Sequence, residues 1–277
     1  MGHRRAVSAR LRSAALLLVL VFFGPIFALQ SAAADCPPCE QSVSGLQPHK
    51  LNYALALMRD SVEPPDERQE DEAKFQISLK TEIYCGFYVA YTQKSFWQIY
   101  DGPHSRPFRE SNYNPELFYD WRIPFDDASI TILRIGAEHE SNGQTIDRTR
   151  SWNRAYVWPS FKAGSYSAGI KVWSRFPEDK KTSATDTQGD ENPEIVDYMG
   201  NVEAYGAWRP LNSLELTAMV RKGKLDHSGT YELNVFTDFG LGWPTIRLMA
   251  QYFSGYGESL FDYNHRVDKV GVGFGFW

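Results

Sequence analysis

The chain has 277 residues, 43% hydrophobic and 14% aromatic, with 34 acidic against 29 basic side chains and a formal net charge of −5. That length suits one large domain or one barrel. The acidic balance, which deepens to about −9 without the four arginines of residues 1–34, argues against a nucleic-acid partner. Beyond residue 34 no run of about 20 apolar residues exists to form a transmembrane helix.

The chain opens with Arg4, Arg5, Arg10 and Arg12, runs through an apolar stretch from Ala14 to Leu29 and reaches Ala32-Ala33-Ala34 before Asp35. This is the layout of a cleavable secretory signal, and residues 1–34 are set aside from the fold. A membrane-anchoring helix is the alternative, opposed by the short apolar core and the Ala-x-Ala end. Residues 35–47 read as an N-terminal extension on the periplasmic side. Cys36 and Cys39 form a Cys-x-x-Cys pair that an oxidising compartment can close into a small disulfide. A redox motif would need a βαβ pattern after it, and a zinc site would need further ligands. Cys85 falls in a strand-like run and reads as a packed thiol.

From residue 48 onward, stretches of roughly ten residues rich in Tyr, Phe, Trp, Val and Ile alternate with turn signals. Twelve are expected, near 48–58, 73–83, 85–100, 116–124, 128–140, 151–161, 164–176, 195–209, 213–222, 229–239, 243–254 and 267–277. Polar segments at 177–192 and around 64–72 read as loops. The chain closes on Val270-Gly-Val272-Gly-Phe274-Gly-Phe276-Trp277. Its glycines are odd and its large residues even, so one face of this strand is nearly bare and implies a close neighbour.

Two architectures suit many aromatic-rich antiparallel strands: a soluble sandwich or barrel, and a transmembrane barrel whose strands alternate apolar-out and polar-in. The aromatic content and the mean hydropathy of −0.42 favour the second, and the aromatic last strand resembles the way outer-membrane barrel proteins end. The expected fold is all-β, a twelve-stranded antiparallel transmembrane β-barrel of the outer membrane over residues 48–277. Closure also removes the exposed edges of an open sheet.

One strand carries chemistry. In the run ending at Ser141, Arg134, Gly136, Glu138 and Glu140 share the even face, and Leu133, Ile135, Ala137, His139 and Ser141 share the odd face. Charge marks the even face as inward, so His139 and Ser141 face outward, side by side. On the next strand Trp152, Arg154 and Tyr156 share the inward parity, which leaves Asn153 outside with the pair. A hydroxyl, an imidazole and an orienting amide are the material of a nucleophilic triad. On a membrane barrel that face meets lipid, and the substrate implied is a lipid.

The pattern His139-Glu-Ser141-Asn142-Gly143, followed by Arg150-Ser151-Trp152-Asn153-Arg154, resembles the signature of bacterial outer-membrane phospholipase A. Tyr91-Thr-Gln93-Lys-Ser-Phe-Trp97, Pro107-Phe-Arg-Glu-Ser-Asn112-Tyr113, Asn192-Pro-Glu-Ile195, Tyr198-Met-Gly200 and Gly255-Tyr-Gly-Glu258-Ser259 agree with it, so the resemblance covers most of residues 73–277. It implies a twelve-stranded barrel that hydrolyses acyl esters of phospholipids and lysophospholipids, as phospholipase A1 and A2, with calcium and as a homodimer. Matched residue by residue, it makes Ser141 the nucleophile, His139 the general base and Asn153 the group that orients the imidazole. It implies calcium held by the main chain at Gln144 and the hydroxyl of Thr149, where the family usually has Arg and Ser, with Ser105 donated by the partner subunit. Glu191, in place of the family's Asp, marks a second and weaker calcium position, and Gln93 matches a polar residue of the dimer interface. Two other readings stand beside this one: a porin-like barrel without activity, and a soluble secreted esterase.

Overall fold

In the computed structural model, residues 45–65, 68–126, 129–183, 189–238 and 246–276 are described. The expected signal segment, Cys36 and Cys39 lie outside them. A two-residue strand β1 (Gln47–Pro48) precedes twelve antiparallel barrel strands: β2 (Asn52–Asp60), β3 (Asp71–Tyr84), β4 (Phe87–Trp97), β5 (Phe108–Asp126), β6 (Ser129–Ser141), β7 (Ser151–Ala163), β8 (Tyr166–Arg175), β9 (Val202–Leu211), β10 (Leu214–Lys222), β11 (Gly229–Thr237), β12 (Ile246–Gly255) and β13 (Val267–Phe276). Each pairs with its sequence neighbour, and β13 pairs back onto β2, with Phe276 opposite Asn52, which closes the barrel. Strand ends meet through two kinds of connection. Tight turns such as Gly164-Ser165 lie at the end that also holds both termini of the barrel sheet. Longer loops, including 98–107 and 142–150, and the segments 176–183 and 189–201 lie at the other end.

The period-two alternation behaves as the sequence predicts. On β6, Arg134 and Glu138 are 9% and 3% exposed, whereas Ile135 between them is 51% exposed. Leu117, Val157, Val172, Leu233, Val270 and Phe274 continue that apolar exterior around the wall. A closed sheet with an apolar outside and a charged inside is the architecture of a membrane-spanning barrel, because only closure satisfies every backbone group in hydrocarbon.

Inside, the charges are paired. Glu116 accepts hydrogen bonds from His49 at 3.0 Å and Tyr156 at 3.0 Å and pairs with Lys50 at 2.7 Å. Arg109 binds Glu72 and Asp262, and Lys269 bridges Glu72 and Glu258 at 2.7 Å each. Burial without such partners would cost several kcal/mol per ion, on the order seen for isolated buried charges. The apolar part of the interior packs Trp152, Tyr156, Tyr88 and Phe118 in one cluster and Tyr53, Leu55, Met58, Phe236 and Met249 in another. The bare face of β13 is explained by the second cluster. A Cβ on Gly271 would collide with the Met58 sulfur, and one on Gly275 would lie 2.5 Å from Phe236.

Three expectations need correction. β5 begins at Phe108 rather than near 116, because Phe108–Asn114 ladders with β4 although its sequence is polar on both faces. The segment expected to start a strand at 195 opens with a short helix, α1 (Ile195–Met199), which ends at Gly200 with φ +66 before β9 begins. Cys85 is not merely packed: it sits in the β3–β4 turn with φ +35 and is disulfide-bonded.

Candidate active site

Register brings the predicted triad together. Tyr113 on β5 lies opposite Ser141, the last residue of β6, and His139 lies directly opposite Asn153 on β7. All share the outward parity, at the end of the barrel that carries the long loops. The His139 Nδ1–H donates to the Asn153 side-chain oxygen at 2.8 Å. An oxygen can only accept, so this bond fixes the ring as the Nδ1–H tautomer and leaves Nε2 as the basic nitrogen. The second Asn153 function is also engaged: its Nδ2 donates to Glu178 at 3.2 Å.

The 142–150 loop is held from below by Asn142, only 2% exposed. Its side-chain oxygen accepts from the backbone N–H of Arg150 at 2.9 Å and of Gln144 at 3.4 Å, and its Nδ2 donates to the Arg148 carbonyl at 2.9 Å. Gly143 has φ +61, a conformation that favours glycine, and lies against the Tyr113 ring. The Thr145 hydroxyl donates to Asp147 at 2.7 Å and holds that carboxyl below its usual range. Gln144 and Thr149 thus sit on one braced loop that begins immediately after Ser141.

A family model described as Phospholipase A1 matches residues 34–276. The chain belongs to the phospholipase A1 family. It is 33% identical to the phospholipase A1 of Salmonella typhimurium over 251 residues, covering 82% of this chain and 80% of that protein. Among solved structures it resembles outer membrane phospholipase A from Escherichia coli, at 30% identity and a TM-score of 0.72 over 84% of this chain and 98% of that one. It also resembles the calcium-bound dimer of the Salmonella typhi outer membrane phospholipase, at 29% identity and a TM-score of 0.73 over 84% and 92% of the two chains.

For this member of the phospholipase A1 family, the remaining predicted residues fall as follows. Gln93 is outward and half-buried, in the row Ile77, Gln93, Tyr113, Ser141 that crosses β3 to β6. Its amide accepts from the Tyr91 hydroxyl at 3.2 Å and donates to Ser95 at 3.1 Å, which bonds Ser111 at 2.8 Å. Ser105 is exposed on the 98–107 loop with φ +64, followed by Arg106 with φ +52. Two consecutive left-handed residues that are not glycine are strained, and strain of this kind gathers at functional loops. Glu191 accepts from the Ser151 hydroxyl at 3.2 Å and lies 3.8 Å from Lys181. Among the described residues no three His, Cys, Asp or Glu side chains cluster as a metal site. The Gln144 carbonyl and the Thr149 hydroxyl on the 142–150 loop are neutral oxygen donors of the kind a hard cation such as calcium takes.

Sequence reading missed two residues. Asn142 was visible within the motif, but its bracing of the loop needed three-dimensional contacts. Glu178 lies in a segment whose composition says only that it is a polar loop.

Proposed function

We propose that this chain hydrolyses acyl esters of phospholipids and lysophospholipids in the outer leaflet of the outer membrane, with calcium and as a homodimer. The observation that carries the reading is the 2.8 Å His139–Asn153 bond on the outward apolar face, beside Ser141. Ser141 Oγ attacks the ester carbonyl while Nε2 of His139 takes its proton. The same nitrogen returns the proton to the departing alkoxide, and a water, deprotonated in turn, releases the acid from Ser141. Asn153 holds the ring but carries no charge. Calcium, when bound, supplies positive charge for the developing oxyanion, and the Gln144 carbonyl and the Thr149 hydroxyl are the groups that would hold it. Long loops of bacterial barrels are extracellular, which puts the triad level with the outer leaflet.

Ser105 completes the calcium shell of the partner subunit. Its loop lies at the same end of the barrel as the 142–150 loop, the end at which a second barrel related by a twofold axis along the membrane normal presents the same loop. Gln93 lies two strands from Ser141, about 10 Å across the sheet. Each amide has two donors and two lone pairs, so the bonds to Tyr91 and Ser95 leave one of each for the same residue across a twofold axis. A second calcium at Glu191 would displace Lys181 and share the carboxylate with Ser151. The filled, ion-paired interior speaks against a porin-like role.

The test is hydrolysis of a fluorogenic acyl ester by detergent-solubilised protein. Wild type is expected to be active with calcium and silent with a chelator, and Ser141→Ala silent in both. A Ser141→Ala protein as active as wild type overturns the reading.

A further inference from the structure

We infer that Glu178 is a fourth, positioning member of the active site, one that sets the orientation of Asn153 and through it the tautomer of His139. The inference rests on the Ser141–His139–Asn153 reading and extends it beyond the three matched residues.

An asparagine is an ambiguous orienting group. Its amide presents an oxygen on one side and an NH2 on the other, and a half-turn exchanges them at little cost when nothing else holds them. If the NH2 faced Nδ1 of His139, that nitrogen would have to accept. The ring proton would then sit on Nε2, toward Ser141, and the imidazole would have no lone pair with which to take the hydroxyl proton. An aspartate cannot make this error, because both its oxygens accept.

Glu178 removes the ambiguity. A carboxylate is an acceptor only, so the Asn153 group facing it must be the NH2, as found at 3.2 Å. The oxygen is then forced toward His139, as found at 2.8 Å. The chain of bonds reads in one direction, from the Nδ1–H to the amide oxygen and from the amide NH2 to the carboxylate. The charge on Glu178 also polarises the amide toward the imidazolium that forms during proton transfer, in part replacing what a neutral third member lacks.

The backbone delivers Glu178 to this place. β8 ends at Arg175, but the next N–H, of Phe176, still donates to the Asn153 carbonyl at 2.8 Å. The ladder therefore runs one residue past the strand, alongside Asn153. Pro177, with its fixed φ and no N–H to ladder, ends it, and the half-buried Glu178 side chain reaches back to the amide.

The experiment is a kinetic cycle on the full barrel in detergent micelles with calcium and a phospholipid substrate, using Glu178→Ala, Glu178→Gln, Asn153→Ala and the double alanine variant. Heat-modifiable migration on a gel verifies that each barrel is folded. Glu178→Ala is expected to lower kcat about tenfold with KM within about twofold, and Glu178→Gln, which keeps an acceptor oxygen, to stay within about threefold of wild type. On the Asn153→Ala background, removal of Glu178 is expected to change nothing further. Wild-type kcat in Glu178→Ala, or an equal loss with and without Asn153, overturns the role of Glu178. Wild-type activity in Asn153→Ala would instead sink the underlying triad, so the two failures are distinct.

Discussion

The barrel carries one histidine inside its wall and another outside it, and the contrast separates structure from chemistry. His49 is buried, stacked 5.2 Å from the Phe118 ring, with Nε2 on Glu116 at 3.0 Å and Nδ1 near Arg134 at 3.4 Å. Both ring nitrogens are used, and its neighbours are neutralised by one another. His139 is half-exposed on the apolar exterior and spends Nδ1 on Asn153, with Ser141 two residues on along the same face. On the proposed reading, the same side chain is a strut where every polar group is answered and a base where one is left over. A polar group facing hydrocarbon is expensive. Gln93 on β4 and Ser141 on β6 are two such groups, two strands apart in one row through Tyr113.

Substitutions on either side of the wall should therefore fail in different ways. The largest effect is expected for His139→Ala: a loss of about 10⁴-fold or more in kcat, with unchanged barrel unfolding, because the hydroxyl loses its base. Next is Ser105→Ala, with a loss on the order of 10²-fold attributed to one missing donor near the oxyanion. Mixing Ser105→Ala protein with Ser141→Ala protein should restore activity, since one site of the mixed dimer then has both residues. Absence of restoration, in mixtures shown by cross-linking to form dimers, counts against a shared site.

Inside the wall, Glu116→Ala leaves His49, Lys50 and Tyr156 without their common acceptor and is expected to cost about 3 kcal/mol in urea unfolding from lipid vesicles. The folded variant should keep its hydrolytic rate within a few-fold. Smallest is Gly271→Val on β13, where a side chain must displace Met58 and press on the Leu57 carbonyl, 3.1 Å from the position of the first carbon. About 1–3 kcal/mol of destabilisation is expected, read by the same unfolding measurement.

Much of this was legible in the chain. Alternation survives wherever a strand crosses the lipid band, because one face must be apolar, and so twelve strands and the outward parity of His139, Ser141 and Asn153 follow from spacing alone. It fails toward the long loops. Phe108–Asn114 carries polar residues on both sides, Ser111 on the outer parity and Glu110 and Asn112 on the inner, and reads as loop, yet it ladders with β4. Residues 195–199 are apolar enough to suggest a strand, but Asn192-Pro193 turns the chain and Ile195 and Met199 pack into the interior as one helical turn. The His139–Asn153 contact beside Ser141 was legible because these residues lie in register on adjacent strands. Glu178 was not, because its partner is 25 positions away and nothing local marks an acidic residue after Pro177 as different from any other loop carboxylate.

The central claim is that the outward Ser141, and not the polar interior, performs the chemistry. The most direct measurement compares calcium-dependent acyl-ester hydrolysis by wild type, Ser141→Ala and Glu116→Ala in the same micelles. The account predicts that Ser141→Ala is inert although as stable as wild type, and that Glu116→Ala is active although less stable. Hydrolysis by Ser141→Ala at the wild-type rate, with calcium dependence intact, would contradict it.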